Sequence, residues 1–517
     1  MTVHRPTTTA RRRHRFRTVG LLGLATLALA SGAAHAGTVE EGAAPVAGTP
    51  PPSSRPLAVR IDRANPGRPV PARFLGLSFE VAALAELARD GSQGNLVSLL
   101  RSLGPGVLRF GGVTADEDVG WTDSQTPRPA WASSVIGPAD MRALGVLARR
   151  SGWKVLLTVG LAHYEPQSAA REVAAAHAAL GENLEAIEIG NEPDSLGRHG
   201  YREEPWFSEA YTEEVTSYRE AIDRLTPGIE IAGPDVSGSG LFPDWGYTEA
   251  VTQAPALLTG HHYPLGCAQS PSITRLLSSE SRYYAALSLE TYMRVARNAG
   301  IPFRLDESNS VSCGGVAGIS NTYASALWAA GYIAQAMDAG TVGINLQGNP
   351  DNCPGYTPLC ALDPVAAAAG ELTVRPDWYG LALTRSLVGS RPLLSTISPT
   401  RNLEAAAFAT PGGGIKLLLI DYEAPGSPPL ELRVLVGSGP VGGQVLRLTG
   451  PAPAATSGVL LGGQEIRPDG TLAMPAHSEP VRVRAGRLNL AIAPSSAALV
   501  TLVPPRAPNH RQGTARS

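Results

Sequence analysis

Eight short apolar runs, separated by stretches of helical periodicity, constrain this chain more than any other feature. The runs are Phe74–Glu80, Val107–Gly112, Val155–Gly160, Ala186–Glu192, Ile229–Pro234, Leu257–Tyr263, Phe303–Glu307 and Val342–Gln347. Each is short and rich in apolar residues, as suits a strand covered by helices on one face and a packed interior on the other. Helical patterns lie between them, for example at Asp140–Ser151, Glu209–Leu225, Tyr283–Ala299 and Tyr323–Ala339. Eight strand–helix units in roughly 300 residues is the arithmetic of a (β/α)8 TIM barrel. A doubly wound open sheet usually has fewer strands, and no Gly-rich dinucleotide fingerprint follows the first run.

The texture changes after Leu383. Strand-like runs at Leu403–Ala409, Ile415–Asp421, Leu430–Val436, Val445–Leu448, Val481–Val483 and Ala497–Val503 are separated by Gly and Pro clusters, without helical periods. That pattern predicts an all-β sandwich. The expected organisation is an α/β chain with a (β/α)8 barrel over 74–384 and a C-terminal β-sandwich over 385–504. A strand within 56–73, at Leu57–Asp62, is expected to join the β-domain. Residues 37–55, rich in Gly, Pro, Ala and Ser, read as a linker, and 505–517 as a flexible tail.

Residues 1–36 have the form of a signal peptide. Arg11, Arg12, Arg13, Arg15 and Arg17 precede an apolar run from Val19 to Ala30, and Ala34-His35-Ala36 offers a small-x-small cleavage site. The apolar run is too short to span a bilayer. A secreted protein, free of the membrane once cleaved, is the expectation. Four cysteines follow, Cys267, Cys313, Cys353 and Cys360. Export permits disulfides, and three pairings are possible. Cys353 with Cys360 would close a short loop, and Cys267 with Cys313 would link two loops. Their spacing does not resemble a zinc site. A net charge of −2, from 43 basic and 45 acidic residues, argues against nucleic acid as a partner and provides no broad field for a highly sulfated polymer.

Barrel enzymes place their chemistry where strands end, at the carboxyl face. The fourth run ends Gly190-Asn191-Glu192-Pro193, and the seventh ends Asp306-Glu307. Glutamates at the tips of strands four and seven face each other across a barrel mouth. A retaining glycosidase needs two carboxyl groups about 5–5.5 Å apart, one to attack the anomeric carbon and one to protonate the leaving oxygen. Asn191 can hold a sugar hydroxyl. Tyr263 ends the sixth run, where its hydroxyl can donate to Glu307; the alternative is a half-buried rim aromatic. His261 and His262 read as hydrogen-bonded strand-end histidines rather than metal ligands, because no third ligand is evident. Asp116 either accepts bonds from sugar hydroxyls or caps a loop, and Arg109 is placed to brace the strand-end carboxylates from inside.

These residues resemble glycoside hydrolase family 79, which holds β-glucuronidases and heparanase. The matching segments are Leu108-Arg109-Phe110-Gly111-Gly112, Gly190-Asn191-Glu192-Pro193, His261-His262-Tyr263 and Asp306-Glu307-Ser308-Asn309-Ser310. Further on come Gly314-Gly315, Gly318-Ile319-Ser320-Asn321-Thr322, Ala324-Ser325-Ala326-Leu327-Trp328, Val374-Arg375-Pro376 and Tyr379-Gly380. The resemblance implies retention of configuration without a cofactor, with Glu192 as acid/base and Glu307 as nucleophile. It implies Asp116 and Asn191 as sugar contacts and Tyr263 as the nucleophile's partner. The loops Ser312–Gly315 and Asn349–Tyr356 would read a uronic acid carboxylate through the amides of Gly314 and Gly315 and the Tyr356 hydroxyl. Two features depart from the family's pattern: Asn345-Leu346-Gln347 ends the eighth run where a His often follows, and Cys313 stands where a Tyr often precedes the Gly pair. The expected activity is exo-release of β-linked glucuronic acid from glucuronides or oligosaccharides. The alternatives are a neutral sugar, such as an arabinofuranoside or xyloside, or carbohydrate binding without catalysis.

Overall fold

Eight parallel strands close into a barrel: β1 (Leu75–Glu80), β2 (Val107–Gly111), β3 (Lys154–Val159), β4 (Leu184–Ile189), β5 (Ile231–Val236), β6 (Leu257–His262), β7 (Phe303–Ser308) and β8 (Gly343–Gly348). Each pairs with its sequence neighbours, and β8 closes on β1. The computed structural model describes residues 56–399 and 401–504. The expected signal peptide, linker and tail lie outside them. No helix among the described residues is long and apolar enough to cross a membrane.

Helices follow the strands in turn, among them Pro138–Ser151, Pro166–Leu180, Ser208–Leu225, Ser279–Ala299 and Tyr323–Ala339. Proline at the first helical position opens two of these, where its missing amide proton costs nothing, and Gly152, Gly300 and Gly340 end three in the left-handed region. The barrel floor is packed by Val107, Leu156, Ala186, Ala232 and Leu257. A polar layer adjoins it. Arg304 donates to Asn345 Oδ1 at 2.6 Å, and Asn345 Nδ2 donates to the carbonyls of Leu77 and Val107. A Cβ at residue 76 would meet Asn345 at 2.5 Å, so that layer requires Gly76.

Two carboxyl-terminal strand ends lie more than one residue from the sequence expectation, and both differences matter for the site. β4 stops at Ile189, because Gly190 takes φ 81° and the chain leaves the ladder. Asn191 and Glu192 therefore stand on the loop beyond the strand. β5 runs on to Val236, two residues past Pro234, which brings Asp235 to the mouth.

The β-domain has two sheets. One orders Ser395–Ser398, Leu57–Ile61, Leu430–Leu435 and Arg487–Ile492. The other runs Arg391–Leu393, Leu403–Ala409, Ile415–Asp421, Ser496–Val503, Gly442–Thr449 and Leu460–Leu461, with Ser478–Arg482 also pairing with Gly442–Thr449. The N-terminal strand lies inside the first sheet, between Ser395–Ser398 and Leu430–Leu435. Period-two alternation splits the strand Ile415–Asp421 between two cores. Ile415, Leu417 and Leu419 face the first sheet, while Leu418 and Ile420 pack into the barrel's core. That double burial explains why the run is apolar on both faces.

Glu249 and Glu172 are buried carboxyls outside the barrel mouth, each pushed up to about 8 by burial. Both Glu249 oxygens lack a hydrogen-bond partner. The folded state holds its proton where the unfolded chain has released it, so the native protein loses stability as pH rises from about 4.5 to 8. Glu249→Gln should raise the thermal midpoint at pH 8 by several degrees and leave it nearly unchanged at pH 5. Equal shifts at both pH values would show that burial of this carboxyl carries no such penalty.

Candidate active site

Glu192 and Glu307 meet at the carboxyl end of the barrel. A carboxylate oxygen of each lies within 4.8 Å of the other and of a ring nitrogen of His261. Glu192 takes a left-handed backbone conformation, φ 46°, and its N–H donates to the Asp235 carbonyl at 3.0 Å. A left-handed non-glycine residue costs about a kcal/mol or more and marks a position that the surroundings over-determine. The Glu192 side chain is 30% exposed and that of Glu307 is 8%. The first meets solvent; the second is held from below.

Both Glu307 oxygens accept strong hydrogen bonds. The Tyr263 hydroxyl donates to Oε1 at 2.8 Å, and Arg109 Nη1 donates to Oε2 at 2.7 Å. Burial, and then the charge of Glu307, push the Tyr263 phenol well above its ordinary range, so it remains a donor. The Tyr263 and Tyr356 rings stack, with their hydroxyls 3.3 Å apart.

Beneath the pair lies a fully buried charge cluster. Arg109 Nε reaches Glu188 at 2.8 Å and Asp306 at 3.1 Å, while Nη2 reaches Asn191 Oδ1 at 2.9 Å and Asp235 at 2.6 Å. His261 bridges two carboxylates, with Nδ1 3.0 Å from Glu192 and Nε2 2.8 Å from Asp235. Although burial opposes a charged ring, the charges of Asp235 and Glu307 and the hydrogen bonds of Asp235 and Glu192 raise His261 well above its ordinary value. The two aspartates titrate apart. Burial works against charge in both, but Arg109 and His261 hold Asp235 well below the usual carboxylate range. Burial and the neighbouring charges of Asp235 and Glu188 drive Asp306 far above it. Its Oδ1 accepts the Gly260 N–H at 2.9 Å.

The cleft above measures about 780 Å³; Glu80, Asn191, Tyr263, Gln269, Gly314 and Tyr356 are among its lining residues. Two disulfides fix its walls. Cys267–Cys313 ties the loop after β6 to the loop after β7, and Cys353–Cys360 closes the loop after β8. The last two loops also meet where the Tyr356 N–H donates to the Gly314 carbonyl at 3.1 Å. A Cβ on residue 315 would lie 2.3 Å from the Tyr356 nitrogen, so the contact requires glycine there.

No protein-family model matches the chain, and no curated protein matches it in sequence. Solved structures do match in fold. A 4-O-α-L-rhamnosyl-β-D-glucuronidase from Fusarium oxysporum 12S, in complex with Rha-GlcA, superposes with TM-score 0.70 at 21% identity, covering 86% of this chain and 100% of that one. A family 51 α-L-arabinofuranosidase from Bifidobacterium longum gives 0.63 at 14%, covering 87% and 100%. A GH30 endoxylanase from Clostridium papyrosolvens gives 0.52 at 12%, covering 86% and 100%. At such identities these matches establish the shared barrel with its β-domain.

Two of the residues expected to touch substrate are engaged elsewhere. Asp116 is buried, and its oxygens accept three backbone amides: Leu161 at 2.6 Å, Ala162 at 2.9 Å and Asn191 at 2.7 Å. This geometry is the loop-capping alternative, and it positions Asn191. The Gly315 N–H is taken by the Ser312 carbonyl at 3.2 Å, whereas Gly314 faces the cleft. Asn191 is reached from below, since Arg109 donates to its oxygen and so directs its amide nitrogen away from the guanidinium.

The sequence reading missed Glu80, Asp235, Asp306 and Glu188. Glu80 ended a predicted strand, so the strand-end rule applied to it as much as to Glu307. It lines the cleft, accepts the Thr114 N–H and hydroxyl on Oε2, and is raised to about 7 by burial and then by the charge of Glu307. The absence of a third ligand beside the histidines does not hold in space, because Glu192, Asp235, Asp306 and Glu307 all surround His261. Both ring nitrogens lie within hydrogen-bond distance of those carboxylates, Nδ1 of Glu192 and Nε2 of Asp235.

Proposed function

We propose that the chain is a retaining exo-glycoside hydrolase that releases β-linked glucuronic acid through a covalent glycosyl-enzyme, with Glu307 as nucleophile and Glu192 as acid/base. The carrying observation is the approach of the two carboxylates to within 4.8 Å. That separation fits direct attack, whereas an inverting enzyme leaves about 6.5–9.5 Å for a water molecule. In the first step Glu307 attacks the anomeric carbon as the glycosidic bond breaks, and Glu192 gives its proton to the departing oxygen. In the second step Glu192 takes a proton from water, whose oxygen displaces Glu307 from the sugar. Tyr263 and Arg109 hold Glu307 in line for attack. His261 fixes one Glu192 oxygen and leaves the other for proton transfer. Protonated Glu80 can donate to a sugar hydroxyl.

The uronic acid carboxylate would lie against the loops after β7 and β8, held by the Gly314 amide and the Tyr356 hydroxyl rather than by an ion pair. The fold match to a glucuronidase supports this choice. One observation favours a neutral sugar: with the Gly315 amide engaged, fewer donors remain for a carboxylate. Nitrophenyl β-glucuronide, α-L-arabinofuranoside and β-xyloside separate the two readings. Turnover of the neutral glycosides alone would overturn the uronide assignment, and no turnover of any would favour binding without catalysis. Glu192→Ala should slow glycosides with poor leaving groups by about 10³-fold and activated aryl glycosides far less, because only the former need protonation. Equal losses would remove Glu192 from the acid role.

A further inference from the structure

The alternation that builds the β-domain also sorts its charges. In Leu430–Leu435, Leu432 and Val434 enter the sandwich core and Arg433 points out. In Arg487–Ile492, Leu488, Leu490 and Ile492 enter the core, while Arg487 and Asn489 are exposed. In the chain segment that precedes Arg487, Val481 and Val483 pack on the same core, which leaves Arg482 and Arg484 outside. Arg433 lies opposite Asn489 in the ladder, and Arg484 bridges to Arg487. These four arginines and Asn489 line one shallow depression of about 370 Å³. Exposed Arg60 stands on the neighbouring strand, opposite Leu435.

Among the described residues no carboxylate pairs with any of the four guanidinium groups, although nearby Arg447 is paired with Glu479 at 2.6 Å. Glu431, on the same strand face as Arg433, makes no ion pair with it. Four like charges gathered with no carboxylate paired to any of them raise the local potential in a protein whose net charge is −2. Guanidinium forks match carboxylate geometry in bidentate fashion. The depression holds no aromatic side chain on which bases could stack and no apolar side chain to enter a bilayer, which disfavours single-stranded nucleic acid and lipid.

We propose that the depression lined by Arg433, Arg482, Arg484, Arg487 and Asn489 is a second glycan-binding site, which takes the carboxylates of a polyuronate chain. The choice of a uronate rests on the glucuronide reading of the cleft, while the anion site itself rests on the arginines. None of them lines that cleft, so the site holds polymer to the enzyme without entering the reaction.

Affinity electrophoresis of the full chain tests this, with gels containing polygalacturonate, heparin, neutral xylan or no polymer. Polygalacturonate should retard the protein, and the retardation should fade as salt rises toward roughly 0.5 M. The variant R433Q/R482Q/R484Q/R487Q should bind about tenfold more weakly, with hydrolysis of a nitrophenyl glycoside unchanged. If that variant fails to fold, R433Q/R487Q, altering two exposed positions, should still weaken binding severalfold. Undiminished retardation of a folded variant would overturn the proposal. So would retention by heparin or by neutral xylan but not by polygalacturonate. Binding without glucuronide turnover would overturn the catalytic reading and leave this site standing. Turnover without binding would do the reverse.

Discussion

Glu307→Gln should reduce turnover of every glycoside by on the order of 10⁴-fold or more while leaving the protein folded. An amide cannot form the glycosyl ester, so the loss should be as severe for an activated aryl glycoside as for a natural one. That pattern differs from the leaving-group dependence expected of Glu192→Ala. The substitution is nearly isosteric, and the amide oxygen can still accept from Tyr263 or Arg109, now 2.8 Å and 2.7 Å from the carboxylate oxygens. Azide offers a second readout. In Glu307→Ala, whose shortened side chain leaves room for the anion, it should restore activity with formation of the glycosyl azide of inverted configuration, because azide attacks from the face that the carboxylate vacates. Proton NMR of the first-formed sugar follows the anomer directly. A Glu307→Gln protein with near-native rates would remove this residue as nucleophile, and an inverted product from the unaltered enzyme would remove the double-displacement scheme.

The barrel and its two glutamates were legible for different reasons. Strand positions followed from apolar runs, because a barrel strand is covered on both faces and leaves a continuous signal. Strand tips were less legible: a glycine's positive φ at Gly190 ends β4, and a run ending in Gly-Pro gave no sign that β5 continues to Val236. The misplaced end hid Asp235. Asp306 was hidden otherwise, as a buried carboxyl next to the proposed nucleophile that alternation turns inward, where only three-dimensional proximity reveals what it faces. The roles of Asp116 and Gly315 turn on which backbone groups are already bonded, and sequence carries no record of that. The arginine patch was present in the alternation around Val481 and Val483, but whole-chain charge averages it away.

Arg109→Met should destabilise the protein by about 3–5 kcal/mol and take most of the activity with it, and Arg109→Lys should rescue little of either. The guanidinium is wholly buried, and its three nitrogens reach Glu188, Asp306, Glu307, Ser78, Asn191 and Asp235. A lysine supplies one point of charge where a planar fork now satisfies several acceptors at fixed angles. Methionine fills similar volume but leaves Asp235 and Glu188 without their shared cation. Denaturant unfolding measures the first effect and kcat the second. The informative control is Asp306→Asn. Burial and the charges of Asp235 and Glu188 raise the Asp306 carboxyl well above its ordinary value, which favours its neutral form, and an amide resembles that form. Activity should stay within severalfold of the unaltered protein. The sign of the stability effect is fixed by the same shift: a carboxyl that keeps its proton when folded and loses it when unfolded makes the native state less stable as pH rises above about 4. Asp306→Asn should therefore gain stability relative to the native protein with increasing pH, whereas Asp235→Asn, which removes a carboxylate held charged between Arg109 and His261, should lose it. If the two asparagine variants behaved alike, the division of charge beneath the two glutamates would be wrong.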